Sequence, residues 1–185
     1  MEYDKENKNK IIEEEKYKII DLTKHSKEEI EKYLSNLKKQ KKVVATSGYF
    51  DPLHHGHIEL FKLSKKLGDH LIVVINNDNQ TIQKKGFCFM PANEKAKIIA
   101  ELKPVDTVFI SIDEDQSQCK TLEYLKPHIF AKGGDRYAYE IPETPICKKH
   151  NIEIIDGVGA KVQSSSELIK KAKDAEEKIK KNKKK

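Results

Sequence analysis

The feature that most constrains this chain is a strand, a tight turn and a helix that follow one another between residues 43 and 67. Val43 to Ser47 is a short apolar run with β-branched residues, which predicts a buried strand. Ile58 to Leu67 has apolar residues at helical spacing and is followed by Gly68, which predicts a helix that ends at this glycine. The turn between them contains His54, His55, Gly56 and His57.

This turn carries the groups that an anion-binding site needs. Backbone N–H groups at the start of a helix point outward and carry partial positive charge. His54 and His57 add N–H donors on the same side, and Gly56 lets a phosphate approach the backbone because it has no Cβ. The sequence therefore predicts a phosphate site at the start of the helix. The competing interpretation is two ordinary surface histidines on a turn.

Four further apolar runs predict additional strands. Continuous apolar runs are typical of a parallel sheet that is covered on both faces. Helices are predicted at residues 93–102 and 121–125, whereas residues 77–89 are predicted to be polar and irregular. The alternation of strands and helices with short connections predicts an α/β fold with a doubly wound, parallel, five-stranded sheet. The four runs are His70–Asn76, Thr107–Ile110, Ile129–Ala131 and Ile152–Ile155.

Extra helices are predicted at the N-terminal and C-terminal ends of the chain. Ser26-x-x-Glu29 is a capping box that predicts a helix over about residues 27–39. We expect this helix to cover the domain, with a homodimer contact as the alternative. Ser164-x-x-Glu167 predicts a last helix that starts near Ser166. The chain thus divides into a charged N-terminal extension (1–41), an α/β domain (42–169) and a Lys-rich helical tail (170–185).

The charge of the chain is concentrated in this tail. The tail has nine lysines and three acidic residues, so its net charge is +6. The whole chain also has a net charge of +6, and residues 1–169 are therefore neutral overall. This argues against a nucleic-acid partner, which needs a basic face on the fold itself.

Cys88, Cys119 and Cys147 lie far apart, which favours reduced thiols over a disulfide framework. No apolar stretch approaches the length of a membrane span, and we expect a cytoplasmic protein.

Three more polar segments are predicted to lie near the histidine turn. Ligands of an open α/β sheet bind beyond the carboxyl ends of its strands. The loop from Lys84 to Pro91 follows a predicted strand, as does the run from Lys132 to Arg136, and Ser164–Ser166 precedes the last helix. A triphosphate needs this combination of imidazole and cationic donors, hydroxyl groups and helix-end amides.

The spacing His54-x-Gly56-His57, preceded by Phe50-Asp51, resembles the signature of the cytidylyltransferase-like nucleotidyltransferases. The resemblance extends from about Val43 to Ile169. It implies a Rossmann-like fold of the HxGH nucleotidyltransferase type, in which His54 and His57 bind phosphates and stabilise the pentacoordinate transition state at the α-phosphorus. Lys85-Gly86, followed by Pro91, resembles the K-G loop of the family, which implies a catalytic role for Lys85.

The remaining expected site residues rest on the same resemblance or, for Arg136, on the planar fork of its side chain after a predicted strand. Ser164–Ser166 matches a Ser/Thr triplet near the triphosphate, and Lys132-Gly133-Gly134-Asp135 most resembles the sugar-phosphate adenylyltransferases, notably the heptose 1-phosphate enzymes. Arg136, the only arginine of the chain, is expected to bind the acceptor, with a surface ion pair as the alternative. The expected nucleotide-binding residues are Tyr49, Phe50, Asp51, Gly56, Lys132, Gly133, Gly134, Asp135, Ser164, Ser165 and Ser166.

Three positions depart from the family pattern. Lys95 and Lys161 stand where arginine is frequent, and Val162 stands where glycine is frequent. Lysine keeps the charge of arginine but not its bidentate fork. The departures leave the base and the substrate contacts open, but not the phosphate chemistry.

The predicted reaction transfers a nucleoside monophosphate, with AMP favoured, from an NTP to a phosphorylated small molecule such as a sugar phosphate and releases pyrophosphate. The alternatives are a CTP-dependent enzyme that acts on glycerol, choline or ethanolamine phosphate, and a non-catalytic nucleotide-binding module. No cluster of His, Cys and Asp has the spacing of metal ligands. We therefore expect no protein metal site, and Mg²⁺ to be bound through the NTP phosphates.

Overall fold

The computed structural model describes residues 18–134, 139, 141–159 and 165–182, and these contain six strands and seven helices. The strands are β1 (Ile19–Ile20), β2 (Val43–Gly48), β3 (His70–Ile75), β4 (Thr107–Ile110), β5 (Ile129–Gly133) and β6 (Glu153–Val158). The helices are α1 (Lys27–Gln40), α2 (His55–Lys65), α3 (Asp78–Lys85), α4 (Ala92–Ala100), α5 (Cys119–Leu125), α6 (Thr144–Lys149) and α7 (Ser165–Asn182). In these residues no helix has the length and apolar composition needed to cross a membrane.

The strands form one parallel sheet in the order β1-β4-β3-β2-β5-β6, which confirms the predicted fold class. The predicted strand count of five was wrong. The additional strand is β1, in which Ile19 lies opposite Val108 and Ile20 lies opposite Phe109 at the outer edge of β4. A two-residue strand has no periodicity of its own, because it is fixed by its partner strand.

The order of the strands places the crevice of the sheet at the end of β2. From β2 the chain builds outward through β3 and β4, and then returns to the other side of β2 to form β5 and β6. The connections that follow β2 and β5 therefore leave the carboxyl ends of these adjacent strands in opposite directions. The place between the two strand ends is the switch point of the sheet, and in open α/β sheets ligands bind there.

Helices cover both faces of the sheet. On one face, Phe61 of α2 and Ile99 of α4 pack against β-strand residues such as Val73. On the other face, Ile30 and Leu34 of α1 pack against residues of β3 and β4. Helix α1 thus covers the second face of the sheet, as expected.

The start of α1 also follows its predicted chemistry. Ser26 is the N-cap, and its Oγ accepts a hydrogen bond from Glu29 N at 3.2 Å. Satisfying this otherwise unpaired amide is what makes serine a preferred residue at a helix start. The capping box therefore predicted the first residue of the helix correctly.

Helix α3 lies where irregular structure was predicted, and that prediction was wrong. Asn77 caps the helix: its side chain accepts a hydrogen bond from Gln80 N at 2.9 Å, and the side chain of Gln80 accepts one from Asn77 N at 3.1 Å. The buried positions of α3 are Gln80 and Thr81, so the helix has no apolar periodicity to detect. Gly86 ends it with φ 79°, a left-handed conformation that favours glycine.

Helix α2 ends at Lys65, three residues before the glycine that was predicted to end it. Gly68 is required for a different reason. A Cβ at this position would lie 2.5 Å from the carbonyl oxygen of Lys42, at the entry to β2. Glycine therefore allows the chain to pass close to the central strand.

Candidate active site

The loop between β2 and α2 lies at the carboxyl end of the central strand. Within it Phe50 has φ 48°, the left-handed region that is uncommon for a residue with a side chain. This conformation turns the phenyl ring into the core, where it is 3% exposed and meets the rings of His57 and Phe61 edge-on at centroid distances of 4.9 and 5.0 Å. Phe50, which we expected to contact the nucleotide, forms the floor beneath His57.

His54 and His57 stack on each other at the start of α2. Their ring centroids are 3.6 Å apart and their planes differ by 22°. The backbone N–H of His54 donates a hydrogen bond to Nδ1 of His57 at 3.2 Å. Because Nδ1 is the acceptor, a neutral His57 carries its proton on Nε2 and keeps an N–H donor there.

Both imidazoles are held in the neutral form. Burial, with smaller contributions from His54 and Lys85, lowers the pKa of His57 to about 3. Burial also lowers the pKa of His54, although the carboxylate of Glu167 opposes this shift. His54 Nδ1 is buried and has no hydrogen-bond partner among the residues that the structure describes. The pair can thus offer donors to a phosphate without carrying charge at neutral pH.

Lys85, the last residue of α3, reaches the same loop. Its Nζ donates a hydrogen bond to the carbonyl oxygen of Asp51 and lies 5.7 Å from the centroid of the Tyr49 ring. Burial lowers the pKa of the ammonium group, and the Asp51 carboxylate opposes this shift. The structure therefore brings together the three side chains that were predicted to be catalytic.

Asp51 is fully buried, and its carboxylate joins two loops. Oδ2 accepts a hydrogen bond from Phe89 N, and Oδ1 accepts one from Met90 N, both at 3.0 Å. Each oxygen thus binds a backbone amide of the loop that follows Lys85. Asp51, which we expected to contact the nucleotide, forms a brace between the loop of residues 49–54, which we call the histidine loop, and the loop of residues 86–91, which we call the lysine loop.

Lys95 was not assigned to the site from the sequence. It is only 2% exposed, and its Nζ donates a hydrogen bond to the carbonyl oxygen of Tyr49 at 3.3 Å. Lys85 and Lys95 therefore hold the carbonyl groups on either side of Phe50. The signal in the sequence was its position after Pro91, where the family resemblance favoured a cation. Lys95 also lines a small apolar pocket of about 30 Å³ with Phe50, Pro52, Leu53, Met90, Ile98 and Ile99.

The end of β5 lies beside β2 and α2. Lys132 Nζ donates a hydrogen bond to Ser47 Oγ at 3.3 Å and lies 4.7 Å from the centroid of the Phe130 ring. A Cβ on Gly133 would lie 3.0 Å from Leu60 of α2, and Gly134 has φ 72°. Glycine is therefore favoured at the two positions for different reasons: Gly133 packs closely against a neighbouring helix, and Gly134 adopts a left-handed conformation. Asp135 and Arg136 lie outside the described residues.

The first residue of α7 also meets the histidine loop. Ser165 Oγ donates a hydrogen bond to the carbonyl oxygen of Pro52 at 2.9 Å. Ser166, in the same turn, is exposed, and Ser164 lies outside the described residues. Gly56 is in the first turn of α2, beside the two histidines. Within the described parts of the chain, no group of three or more His, Cys, Asp or Glu side chains is arranged to hold a metal ion.

Comparisons with known proteins find relatives over most of the chain. The family model described as cytidylyltransferase-like matches residues 45–179. The bifunctional protein HldE of Campylobacter concisus is 37% identical over 151 residues, which cover 80% of this chain and 30% of HldE. The FAD synthase of Ferroglobus placidus is 37% identical over 97 residues, which cover 52% of this chain and 61% of that enzyme. The chain therefore spans about 30% of the length of the HldE proteins that it matches.

Two solved structures share the fold. The crystal structure of the lipopolysaccharide core biosynthesis protein from Thermoplasma volcanium is 31% identical and superimposes with a TM-score of 0.55, covering 64% of this chain and 98% of its own. The pantoate-beta-alanine ligase of Francisella tularensis is 18% identical with a TM-score of 0.53, covering 80% of this chain and 68% of its own. The second similarity concerns the fold alone.

Proposed function

Since this chain belongs to the cytidylyltransferase-like family of nucleotidyltransferases, we propose that it transfers a nucleoside monophosphate from an NTP to a phosphorylated small molecule and releases pyrophosphate. The observation that carries the proposal is the stacked pair of neutral histidines at the start of α2, with Lys85 at the same loop. A phosphate oxygen of the acceptor attacks the α-phosphorus in line, and the bond from that phosphorus to the pyrophosphate oxygen breaks.

The chain's own residues contribute orientation and electrostatic stabilisation. The Nε2–H of His57 and the backbone amides at the start of α2 donate to phosphate oxygens on which charge develops. Lys85 can exchange the carbonyl oxygen of Asp51 for a phosphate oxygen, so that its charge moves to where it is needed. No covalent intermediate with the protein is required, because both substrates are held in line.

The start of α7 is the third part of the proposed phosphate site. Ser165 already contacts the histidine loop through the carbonyl oxygen of Pro52, and the helix begins at this residue. Its hydroxyl and the first amides of α7 are suited to the β- and γ-phosphates. We expect Mg²⁺ to be held by the triphosphate oxygens, where it would offset the charge of the departing pyrophosphate.

AMP and a sugar phosphate are the favoured group and acceptor. A transferred AMP is supported by the similarity to an FAD synthase, since FAD contains an adenylyl group. A sugar acceptor is supported by the similarity to a lipopolysaccharide core biosynthesis protein and by the run from Lys132 to Asp135. Transfer of CMP to a polyol or amino-alcohol phosphate is the second candidate.

The test is a matrix of four NTPs against sugar, polyol and amino-alcohol phosphates, with pyrophosphate release as the readout. We expect release with ATP and a sugar phosphate. Release only with CTP would favour the second candidate, and nucleotide binding without release from any pair would favour a non-catalytic module.

Two variants test the histidine pair in the same assay. His54→Ala and His57→Ala are each expected to lower kcat by ~10²–10³-fold, the scale for loss of one donor at a developing charge. His55→Ala is the matched control, because its side chain is 70% exposed and pairs with Glu59 on the surface. The variants must first show an unchanged circular dichroism spectrum and Tm. Turnover of a folded His54 or His57 variant at the wild-type rate would refute the role assigned to the pair.

A further inference from the structure

A second polar group of side chains lies at the carboxyl end of the sheet. It consists of Gln118, Lys132 and Glu143, which we call the β5 polar cluster. Gln118 directly precedes α5, Lys132 belongs to β5, and Glu143 directly precedes α6. Gln118 and Glu143 are 2% and 3% exposed, and the Lys132 side chain is 15% exposed. Three chain segments therefore converge to bury polar groups that an apolar core would exclude.

The carboxylate of Glu143 is fixed at one oxygen only. Its Oε1 accepts a hydrogen bond from the backbone N–H of Gln118 at 3.0 Å. Its Oε2 lies 4.0 Å from Lys132 Nζ, which is an ion-pair distance and too long for a hydrogen bond. One oxygen of Glu143 is thus tied to the backbone of Gln118, while the other faces the ammonium group of Lys132 without a hydrogen bond to it.

Three polar atoms of the cluster lack a hydrogen-bond partner among the described residues. They are Oε2 of Glu143 and both Nε2 and Oε1 of Gln118. Most buried polar groups in proteins have a partner, and an unpartnered one destabilises the folded state. Three such atoms in one cluster leave room for hydrogen bonds to a molecule from outside the chain.

The cluster adjoins the proposed active site. Lys132 Nζ donates to Ser47 Oγ, and Ser47 lies two residues before Tyr49 of the histidine loop. The next residue, Gly133, packs against Leu60, which follows His57 by one turn of α2. The cluster therefore lies next to the strand end and the helix that carry the proposed phosphate site.

The chemistry of the cluster selects neutral groups that both donate and accept. Glu143 offers an acceptor, Gln118 offers one acceptor and one donor pair, and Lys132 offers donors. The carboxylate disfavours an anion, and the ammonium group disfavours a cation. Hydroxyl groups satisfy all of these atoms, because each hydroxyl donates once and accepts twice.

We propose that the β5 polar cluster is a subsite that binds the hydroxyl groups of a substrate, an inference that rests on the proposed function. Such hydroxyls are present on the sugar ring of the acceptor and on the ribose of the nucleotide. Gln118 and Glu143 are then specificity residues that read the substrate at a distance from the reacting phosphorus.

The main variant is Gln118→Met, which keeps the length of the side chain and its backbone N–H but removes both unpartnered atoms. We expect its Tm to equal or exceed that of the wild type, and its affinity for the hydroxyl-bearing ligand to fall about tenfold, the scale of one lost polar contact. If the side chain of Gln118 served only to stabilise the fold, the variant would have a lower Tm and an unchanged affinity. Gln116→Met is the matched control, because Gln116 is exposed in the same loop. Glu143→Gln, which removes the charge at nearly constant shape, is the second variant.

Two binding arms distinguish the sources of the hydroxyls, and neither needs turnover. The ribose arm compares the Kd of ATP with those of its 2′-deoxy and 3′-deoxy analogues. The acceptor arm measures the Tm shift caused by hexose 1-phosphates and their deoxy analogues in the presence of a non-hydrolysable ATP analogue. Removal of the recognised hydroxyl should weaken binding to the wild type but not to Gln118→Met.

The proposal would be overturned if Gln118→Met and Glu143→Gln bound every ligand within twofold of the wild type, which would assign the cluster to ordered water only. It would also be overturned if all ligands weakened equally together with a lower Tm. The proposed function and the subsite can fail separately. If the wild type bound the deoxy analogues more weakly but released no pyrophosphate from any substrate pair, the proposed function would be refuted and the subsite would be retained.

Discussion

The brace formed by Asp51 gives a prediction whose size follows from the structure. Asp51→Ala removes the acceptors of two backbone N–H groups, those of Phe89 and Met90, each bound at 3.0 Å. Leaving a buried donor unpaired costs ~1–3 kcal/mol. Phe89 itself is 60% exposed, so water can reach part of this loop after the substitution. We therefore expect the free energy of unfolding to fall by about 2–4 kcal/mol, below the ~6 kcal/mol that two fully buried donors would give.

Two further variants separate the loss of hydrogen bonds from the loss of an aspartate. Asp51→Asn retains one acceptor oxygen but presents an NH₂ group to the second amide, so we expect about half of the effect of Asp51→Ala. Asp115→Ala is the matched control, because Asp115 also accepts a backbone hydrogen bond, from Ser117 N at 2.9 Å, but is exposed. Water replaces that acceptor, and a loss below ~1 kcal/mol is expected.

The measurement is equilibrium unfolding in urea at pH 7, followed by circular dichroism and by fluorescence. Coincident transitions from the two probes are needed before the free energies are compared. An Asp51→Ala variant within ~0.5 kcal/mol of the wild type, or equal to Asp115→Ala, would show that the two loops do not depend on this carboxylate.

Two more predictions concern charge in the site. The pKa of folded His57 is lowered to about 3, so this side chain stays neutral at pH values where it takes up a proton in the unfolded chain. The free energy of unfolding therefore falls as the pH drops from about 6.5 towards 3. The decrease is at most about 1.36 kcal/mol per pH unit. His57→Asn should flatten this dependence in urea unfolding at pH 7, 5 and 4, and a curve parallel to that of the wild type would contradict the assignment. Arg136→Lys, at a position outside the described residues, is expected to raise KM for the acceptor about tenfold at unchanged Tm, because lysine lacks the planar fork; wild-type kinetics with every active substrate pair would assign the acceptor phosphate to a lysine.

The sheet was largely predictable because its strands are buried on both faces. The runs at β2 and β3 are continuous apolar segments, and all six residues of β3 are buried. Such runs need no knowledge of the neighbouring chain to be recognised. The N-cap of α1 was predictable for a similar reason, since Ser26 and Glu29 are three residues apart.

The elements that were missed owe their position to distant partners. β1 exists because Lys18 O accepts a hydrogen bond from Val108 N at 2.8 Å, a contact across 90 residues. Helix α3 buries Gln80, whose amide donates to the carbonyl oxygens of Asp115 and Ser117 at 2.6 and 2.9 Å. A polar residue that is buried through such contacts resembles a surface residue in the sequence. The Asn77-x-x-Gln80 capping pattern was the local signal available.

The candidate site also contains residues that were predictable from short motifs and residues whose roles depend on distant partners. The two histidines and Lys85 belong to short motifs, so their chemistry was predictable, and the structure shows them at one loop. The brace of Asp51 and the contact of Lys95 with Tyr49 O join residues that are 38 to 46 positions apart. Gln118 and Glu143 carry no motif at all. Hydrogen bonds to backbone atoms depend on the folded path of the chain and only weakly on the identity of the partner residue.

The short strand β1 has a consequence for how copies of this protein meet. It pairs with the outer side of β4, so the apolar strand β4 is not an edge, and the edge strand on that side is only two residues long. The opposite edge is β6, which carries the exposed charged residues Glu153 and Asp156. Very short edge strands and charged edge strands are poor templates for strands from other molecules. A chain that began at Lys42 would lose β1 and α1 together, and the uncovered apolar strand β4 would then present a template for self-association.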